Sequence, residues 1–138
     1  RADRGVQEAL VFPAPIPNYQ EKVFFLELAA DAQERTFIGL INPDIGNGTS
    51  LGIVMRFNRR ELPAFTVWKN PARGFYVLGL EPGTVLPLGR GVLREQGRLP
   101  LLDGQARYPL RIEFEVLDAA SELQALEREA QALLAGQR

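Results

Sequence analysis

Apolar residues fall into short runs along most of the chain, and these runs predict strands. Three early runs are rich in β-branched and aromatic residues: "EKVFFLELAA" (21–30), "ERTFIGLINP" (34–43) and "SLGIVMRFN" (50–58). Each run is apolar at both alternating sets of positions, so we expect strands covered on both faces, as in a sandwich. Between the second and third, Asn47-Gly48 is a strong hairpin signal because both residues accept positive φ.

Two further runs, "AFTVWKN" (64–70) and "GFYVLGLEPG" (74–83), are separated by the turn "PARG". A period of two places Gly79 and Glu81 on the same face of the second strand. A glycine within a strand weakens the strand, and it often marks a place where a ligand or another backbone approaches closely. We therefore expect a groove beside Glu81. The alternative is that Glu81 merely ends the strand and lies in water or pairs with an arginine.

The C-terminal part predicts one more strand and then a helix. "RYPLRIEFEVLD" (107–118) alternates cleanly, with Phe114 and Val116 on an apolar face and Glu113 and Glu115 on a polar face, so this strand should have one wet face. In the final segment, Ser121 is a plausible N-cap. Apolar residues then recur at helical spacing, which predicts a helix packed on the sheet: Leu123, Leu126, Ala130 and Leu133.

Prolines at alternate positions in "VFPAPIPNYQ" favour extended backbone without ladder donors near the N-terminus. The chain is therefore divided into a Pro-rich crossing segment or linker (1–20), an antiparallel β-sandwich portion (21–118) and a C-terminal helix packed on the sheet (119–138). The predicted fold class is all-β, an antiparallel β-sandwich with one C-terminal helix.

Composition narrows the function classes. With 138 residues, 46% hydrophobic and 24% charged, the chain reads as one ordinary globular domain. A net charge of −1 provides no excess of positive charge to attract nucleic acid or an anionic membrane, so neither partner is expected. Without a membrane-length apolar run or a signal peptide, a cytoplasmic location is expected. The absence of His and Cys excludes disulfides and the usual zinc sites, and no cofactor is expected.

Several side chains are candidates for ligand binding. Trp68 and Lys69 are neighbours on one strand, so they point to opposite faces and at most one can line a given groove. The indole could stack on a sugar ring and the ammonium could bind its hydroxyls, although a lone Trp in a sandwich is often a core residue. Arg90 offers a planar donor fork, or is simply solvated. For Glu21 and Lys22 the same two interpretations are open: each could bind a ligand or simply be solvated.

Taken together, "FNRRELPAFTVWKNPARGFYVLGLEPGTVLPLGR" and "GRLPLLDGQARYPLRIEFEVLD" resemble the C-terminal half of the aldose 1-epimerase-like (galactose mutarotase-like) proteins. More narrowly, the chain resembles their DUF4432 branch, a domain of unknown function. The resemblance rests on the order and spacing of several elements and covers most of residues 18–118. It implies a large antiparallel supersandwich that binds a monosaccharide, an aldose, in a groove on one sheet.

The resemblance also implies roles for residues. In mutarotases a glutamate near the C-terminus acts as general base on the anomeric hydroxyl, and Glu81 in "GLEPG" occupies the similar position. A histidine from earlier in the chain protonates the ring oxygen, and this sequence has none. We therefore expect a C-terminal portion of a longer protein, inactive alone, in which Glu81 is catalytic and Trp68, Lys69 and Arg90 bind substrate.

Two other functions fit the same residues. A non-catalytic carbohydrate-binding sandwich would use the groove without turning the sugar over, and a purely structural β-domain would bind no sugar at all. If half of a sandwich is missing, open apolar faces and strand edges favour association. A homodimer, or association with the N-terminal half, is the expected consequence.

Overall fold

A computed structural model describes residues 2–137, and their side chains from residue 5 onward. Arg1 and Arg138, the outer ends of the predicted segments 1–20 and 119–138, lie outside the described residues. The helices are α1 (Ala2–Leu10), α2 (Arg90–Glu95) and α3 (Ala120–Ala135). The strands are β1 (Lys22–Phe25), β2 (Arg35–Asn42), β3 (Leu51–Asn58), β4 (Ala64–Ala72), β5 (Phe75–Gly83) and β6 (Ile112–Leu117).

The six strands form two three-stranded antiparallel sheets, with the strand orders β1-β4-β5 and β2-β3-β6. The predicted all-β antiparallel architecture with a C-terminal helix is confirmed. The chain divides into two compact units: residues up to 27 with 62–106, and residues 28–61 with 107–138. Each unit contains one sheet. The predicted domain boundaries after residues 20 and 118 stay a prediction, and α1 lies within the predicted Pro-rich segment.

In the first unit, one face of β4 is buried and is held to α1 by a lysine. Phe65, Val67 and Lys69 on this face are each 2% exposed. The Lys69 ammonium donates hydrogen bonds to the backbone carbonyls of Glu8 and Val11. The last carbonyls of a helix have no partner within it, and the helix dipole favours a cation at that end. Lys69 therefore satisfies the C-terminal end of α1 while attaching it to the sheet.

In the second unit, α3 packs closely on the β2-β3-β6 sheet. A Cβ added at Gly52 would lie 2.8 Å from Leu123 Cδ2, and one added at Gly39 would lie 3.0 Å from Leu126 Cδ2. The two glycines therefore make room for leucines of the helix. The packed core of this unit consists of Val54, Leu117, Leu123 and Leu126, with Phe37 and Ile41 against it.

The N-terminus of α3 uses a different cap from the predicted one. The cap residue is Ala119, and the Glu122 carboxylate accepts hydrogen bonds from the backbone N–H groups of Asp118 (3.2 Å) and Ala119 (3.1 Å). The prediction of Ser121 as N-cap is wrong, because Ser121 already lies in the first turn. A carboxylate there also complements the positive end of the helix dipole. Among residues 2–137, no helix combines the length and apolar character needed to cross a membrane.

Strand β6 is shorter than the predicted segment 107–118, and its polar face lies on the α3 side. The strand begins only at Ile112, so residues 107–111 add nothing to the sheet. Its charged face lies on the α3 side, where Arg56 of β3 forms ion pairs with Glu115 (3.2 Å) and with Glu129 of α3 (2.7 Å). The face predicted to be wet therefore carries the ion pairs that link the sheet to its helix.

The opposite face of this sheet is apolar and only partly exposed, since Met55 and Phe57 on it are 9% and 6% exposed. Phe114 and Val116 are 67% and 63% exposed, and their neighbours Ile53 and Leu40 are 44% and 43% exposed. We call this surface the Phe114 face. Alternation correctly predicted its apolar character, and these four side chains remain exposed.

Candidate functional site

The β1-β4-β5 register brings candidate site residues onto one face. Trp68 of β4 pairs with Gly79 of β5, and Thr66 pairs with Glu81. Side chains at alternate positions share a face, so Trp68 and Glu81 are diagonal neighbours across the two strands. We call this surface the Trp68 face. It is opposite to the face that binds α1 through Lys69.

Gly79 provides the space that the Glu81 side chain occupies. A Cβ at residue 79 would lie 2.5 Å from Glu81 Oε1 and 3.3 Å from Trp68 Cβ. No side chain could stand there without displacing the carboxylate. The space at Gly79 is therefore occupied by the side chain of Glu81, and the expected groove beside Glu81 stays a prediction. Its carboxylate lies beside Trp68, and the residue is exposed.

The Trp68 indole is anchored at the surface of the sheet and is not a core residue. The side chain is half-buried, and Nε1 donates a hydrogen bond to Glu21 Oε2 at 3.1 Å. Its ring also meets Phe75 edge-on, with centroids 6.3 Å apart and an interplanar angle of 64°. Both contacts restrict the orientation of the indole on the face that carries Glu81.

Lys69 lies away from this group. As the period of two predicted, it points to the opposite face from Trp68, where its ammonium binds two carbonyls of the α1 end and lies 5.8 Å from the Phe12 ring centroid. Burial lowers the pKa of Lys69 below its usual value, and the Glu8 carboxylate acts in the opposite direction. A sugar-binding role for Lys69 stays a prediction, and these contacts do not favour it.

Arg90 begins α2 and is exposed. Among the described residues it makes no ion pair or hydrogen bond with Glu81 or Trp68, so its role also stays a prediction. The sequence left Glu21 ambiguous, yet it is the hydrogen-bond partner of Trp68. Its parity with Val23 could have placed it on the Trp68 face. The contact itself depends on the β1-β4 register, which the sequence did not reveal.

A separate cavity of about 410 Å³ lies in the second unit, beside α3 and one end of the β2-β3-β6 sheet. None of the predicted site residues lines it. Its three arginines already have carboxylate partners, in the pairs Arg35 with Asp31, Arg56 with Glu129, and Arg111 with Glu113. Each arginine that lines the cavity is therefore already paired with a carboxylate.

Compared with the cavity, the Trp68 face therefore carries the side chains that are better suited to bind a small polar ligand. An aromatic ring and two carboxylates, Glu21 and Glu81, lie on one partly exposed sheet face. Carboxylates accept hydrogen bonds from hydroxyl groups, and an ionised one can take a proton. Within residues 2–137, no three acidic residues come together to hold a metal ion.

Comparison with known proteins agrees with this architecture. A crystal structure of a "putative aldose 1-epimerase" from Klebsiella pneumoniae subsp. pneumoniae MGH 78578 superposes with a TM-score of 0.80 at 26% identity. The match covers 96% of this chain and 34% of that protein, so the chain spans about a third of its length. No curated protein sequence matches.

The family model for a domain of unknown function, DUF4432, matches residues 1–116. That range includes the whole β1-β4-β5 sheet and most of the second one. The suspected resemblance to aldose 1-epimerase-like proteins is thereby supported at the level of family and fold. The chain belongs to the DUF4432 family.

Proposed function

We propose that the protein is an aldose 1-epimerase-like (mutarotase-like) protein that binds a monosaccharide on the Trp68 face, with Glu81 as general base. The observation that carries this proposal is the Glu81 carboxylate, which folds over Gly79 and lies beside Trp68 on an exposed face. An aromatic surface next to a hydrogen-bond acceptor suits a sugar, which has both C–H surfaces and hydroxyls. The similarity to an epimerase fold supports the same assignment.

In the proposed reaction, Glu81 removes the proton from the anomeric hydroxyl while the bond between C1 and the ring oxygen breaks. The ring oxygen takes a proton from an acid, and the open-chain aldehyde forms. Rotation about the C1–C2 bond and ring closure on the other side of the carbonyl then give the other anomer. Glu81 returns its proton to the oxygen on C1, and the conjugate base of the acid takes back the proton from the hydroxyl that closes the ring.

The acid must come from elsewhere than a histidine of this chain, because the sequence contains none. The chain also spans only 34% of the matched protein. In this proposal the chain supplies the general base, Glu81, and the aromatic surface, Trp68. The proton donor to the ring oxygen is a group other than these two.

The test is anomer exchange, measured by NMR over a panel of aldoses with the full-length protein that contains this chain. We expect Glu81→Gln to lower the exchange rate by about 10²- to 10⁴-fold, the usual contribution of a general base. Glu127→Gln on α3 makes the same change of charge at an exposed site and should leave exchange unchanged. Exchange that survives in the Glu81 variant would remove Glu81 from the mechanism.

A second candidate is a non-catalytic carbohydrate-binding domain, which would use the same indole and carboxylates of the Trp68 face for binding alone. It predicts that sugar binds to the Trp68 face without exchange above the spontaneous rate. Titration and exchange on the same samples separate the two functions, since only the epimerase requires both.

A further inference from the structure

We propose that Glu21 is a second functional carboxylate of the Trp68 face, which positions the indole and, together with Glu81, selects uncharged sugars over phosphorylated or acidic ones. This inference rests on the proposed function. It assigns a role to a residue that the sequence left open, and it narrows the substrate class.

The positioning role follows from hydrogen bonding. An indole has a single donor, Nε1–H, and in Trp68 that donor is given to Glu21 Oε2 at 3.1 Å. A hydrogen bond to an ionised carboxylate is stronger than one to a neutral acceptor. Since Phe75 meets the ring edge-on, the carboxylate and the aromatic contact together set the direction in which the indole lies on the sheet.

The selectivity follows from the distribution of charge. The two lysines of this sheet, Lys22 and Lys69, both contact α1 residues, and Lys69 lies on the opposite, buried face. In the strand positions of the Trp68 face the remaining residues are uncharged: Val23, Phe25, Ala64, Thr66, Trp68, Asn70, Ala72, Phe75, Val77, Gly79 and Gly83. Glu81 and the adjoining Glu21 therefore make this face negative, without a cation from the strands.

A negative surface treats neutral and anionic sugars differently. A phosphate or carboxylate placed near two carboxylates meets repulsion that water only partly screens. A neutral sugar meets only acceptors for its hydroxyls. Glu21 uses one oxygen for Trp68, and none of the side chains described from residue 5 onward donates to the other, so Oε1 can accept a sugar hydroxyl.

The first measurement requires no sugar. Trp68 is the only tryptophan, so the protein gives a single indole N–H signal in a ¹⁵N NMR spectrum. Glu21→Ala removes the acceptor and should shift that signal. Glu21→Gln keeps an amide oxygen as acceptor and should leave the signal nearer its original position. An indole signal that is identical in all three proteins would overturn the positioning role.

The second measurement is titration with D-galactose and D-galactose 6-phosphate. We expect the wild type to prefer the neutral sugar and Glu21→Gln to reduce that preference about threefold or more, as removal of one nearby charge predicts. Glu21→Ala should also weaken galactose binding by about two- to tenfold, since it loses the positioning contact. The charge-matched Glu127→Gln should change neither value.

The outcomes separate this inference from the function on which it rests. If the wild type binds neither sugar, both proposals fail. If Glu81→Gln abolishes exchange while both Glu21 variants behave as wild type, the epimerase proposal stands and the role of Glu21 is overturned. A wild type that prefers the phosphorylated sugar would also overturn the selectivity.

Discussion

The two sheets have the same number of strands and the same antiparallel pairing, but they cover their inner faces by different means. In the β1-β4-β5 sheet, a buried lysine holds the end of α1 through two carbonyls. In the β2-β3-β6 sheet, two glycines let leucines of α3 approach the strands directly. The first sheet depends on a satisfied polar anchor, and the second depends on close packing.

Their other faces differ as well. The Trp68 face presents an anchored indole and two carboxylates, which suits a small polar ligand. The Phe114 face presents aligned apolar side chains with no charge among its most exposed members, which suits contact with another protein surface. We therefore propose that sugar binding uses the first sheet and that association uses the second.

The largest expected effect is at the polar anchor. Lys69→Ala would leave the Glu8 and Val11 carbonyls without their donor and create a cavity where the buried Lys69 side chain was, so we expect a loss of about 2–4 kcal/mol in the free energy of unfolding, measured by urea denaturation. Lys22→Ala, at an exposed ion pair with Glu8, should cost much less. If Lys69→Ala kept its stability but lost sugar binding, Lys69 would be a ligand and not an anchor.

The next effect tests the glycine packing under α3. Gly52→Ala would push a methyl group into Leu123, so the helix must shift, at a cost of about 1–3 kcal/mol. Gly91 of α2 has open space around the same added atom and serves as the control. Gly91→Ala should instead stabilise by up to about 1 kcal/mol, since alanine favours helix. Thermal unfolding of both variants would show opposite shifts, and equal shifts would refute the packing argument.

The Phe114 face should govern association. We expect the protein to form dimers or higher species as its concentration rises, and Phe114→Ser to weaken that association about tenfold by removing a large apolar contact. Leu101, which is 86% exposed, provides a matched control in Leu101→Ser. Sedimentation over a concentration series measures both. A wild type that stays monomeric throughout would contradict the association.

The smallest effect concerns a turn of the second unit. Asp31 accepts hydrogen bonds from the backbone N–H groups of Arg35 and Gln33 and from the Arg35 side chain, and these contacts lower the pKa of its carboxyl below 3.8. A lowered pKa stabilises the folded state above pH 3.8, and this stabilisation is lost as the pH falls below that value.

The stability difference between wild type and Asp31→Ala should therefore shrink below pH 3.8, in unfolding curves measured from pH 7 to pH 2.5. Trp68 lies in the other unit. If the two units unfold together, the Trp68 indole signal and the signals of the second unit should give the same unfolding midpoint in Asp31→Ala. A difference that stays constant with pH would remove the carboxylate from this account.

Much of the fold could be predicted from local pattern. Short apolar runs gave strands near their true positions, and helical spacing placed Leu123 and Leu126 on the packed side of α3. The two-residue period of a strand correctly placed Gly79 and Glu81 on one face, and Trp68 and Lys69 on opposite faces. These properties depend only on backbone geometry, which each strand or helix carries by itself.

Other features depended on contacts between segments that are distant in the chain. The partners of Glu21 and Lys69 follow from strand register and from the position of α1, and neither is visible in a single strand. Alternation correctly predicted an apolar and a polar face for β6, and Glu115 on the polar face is exposed. It did not predict that Phe114 and Val116 are exposed as well, because alternation does not say which face α3 will cover.

The sequence by itself determined the strands, their antiparallel character, the family and the face on which Glu81 lies. Only the tertiary structure decided that Glu81 folds over Gly79, that Glu21 accepts the hydrogen bond of Trp68 and that Lys69 binds a carbonyl of α1. The physical reason is range: backbone periodicity acts over neighbouring residues, whereas hydrogen-bond partners and covered faces are chosen when distant segments pack together.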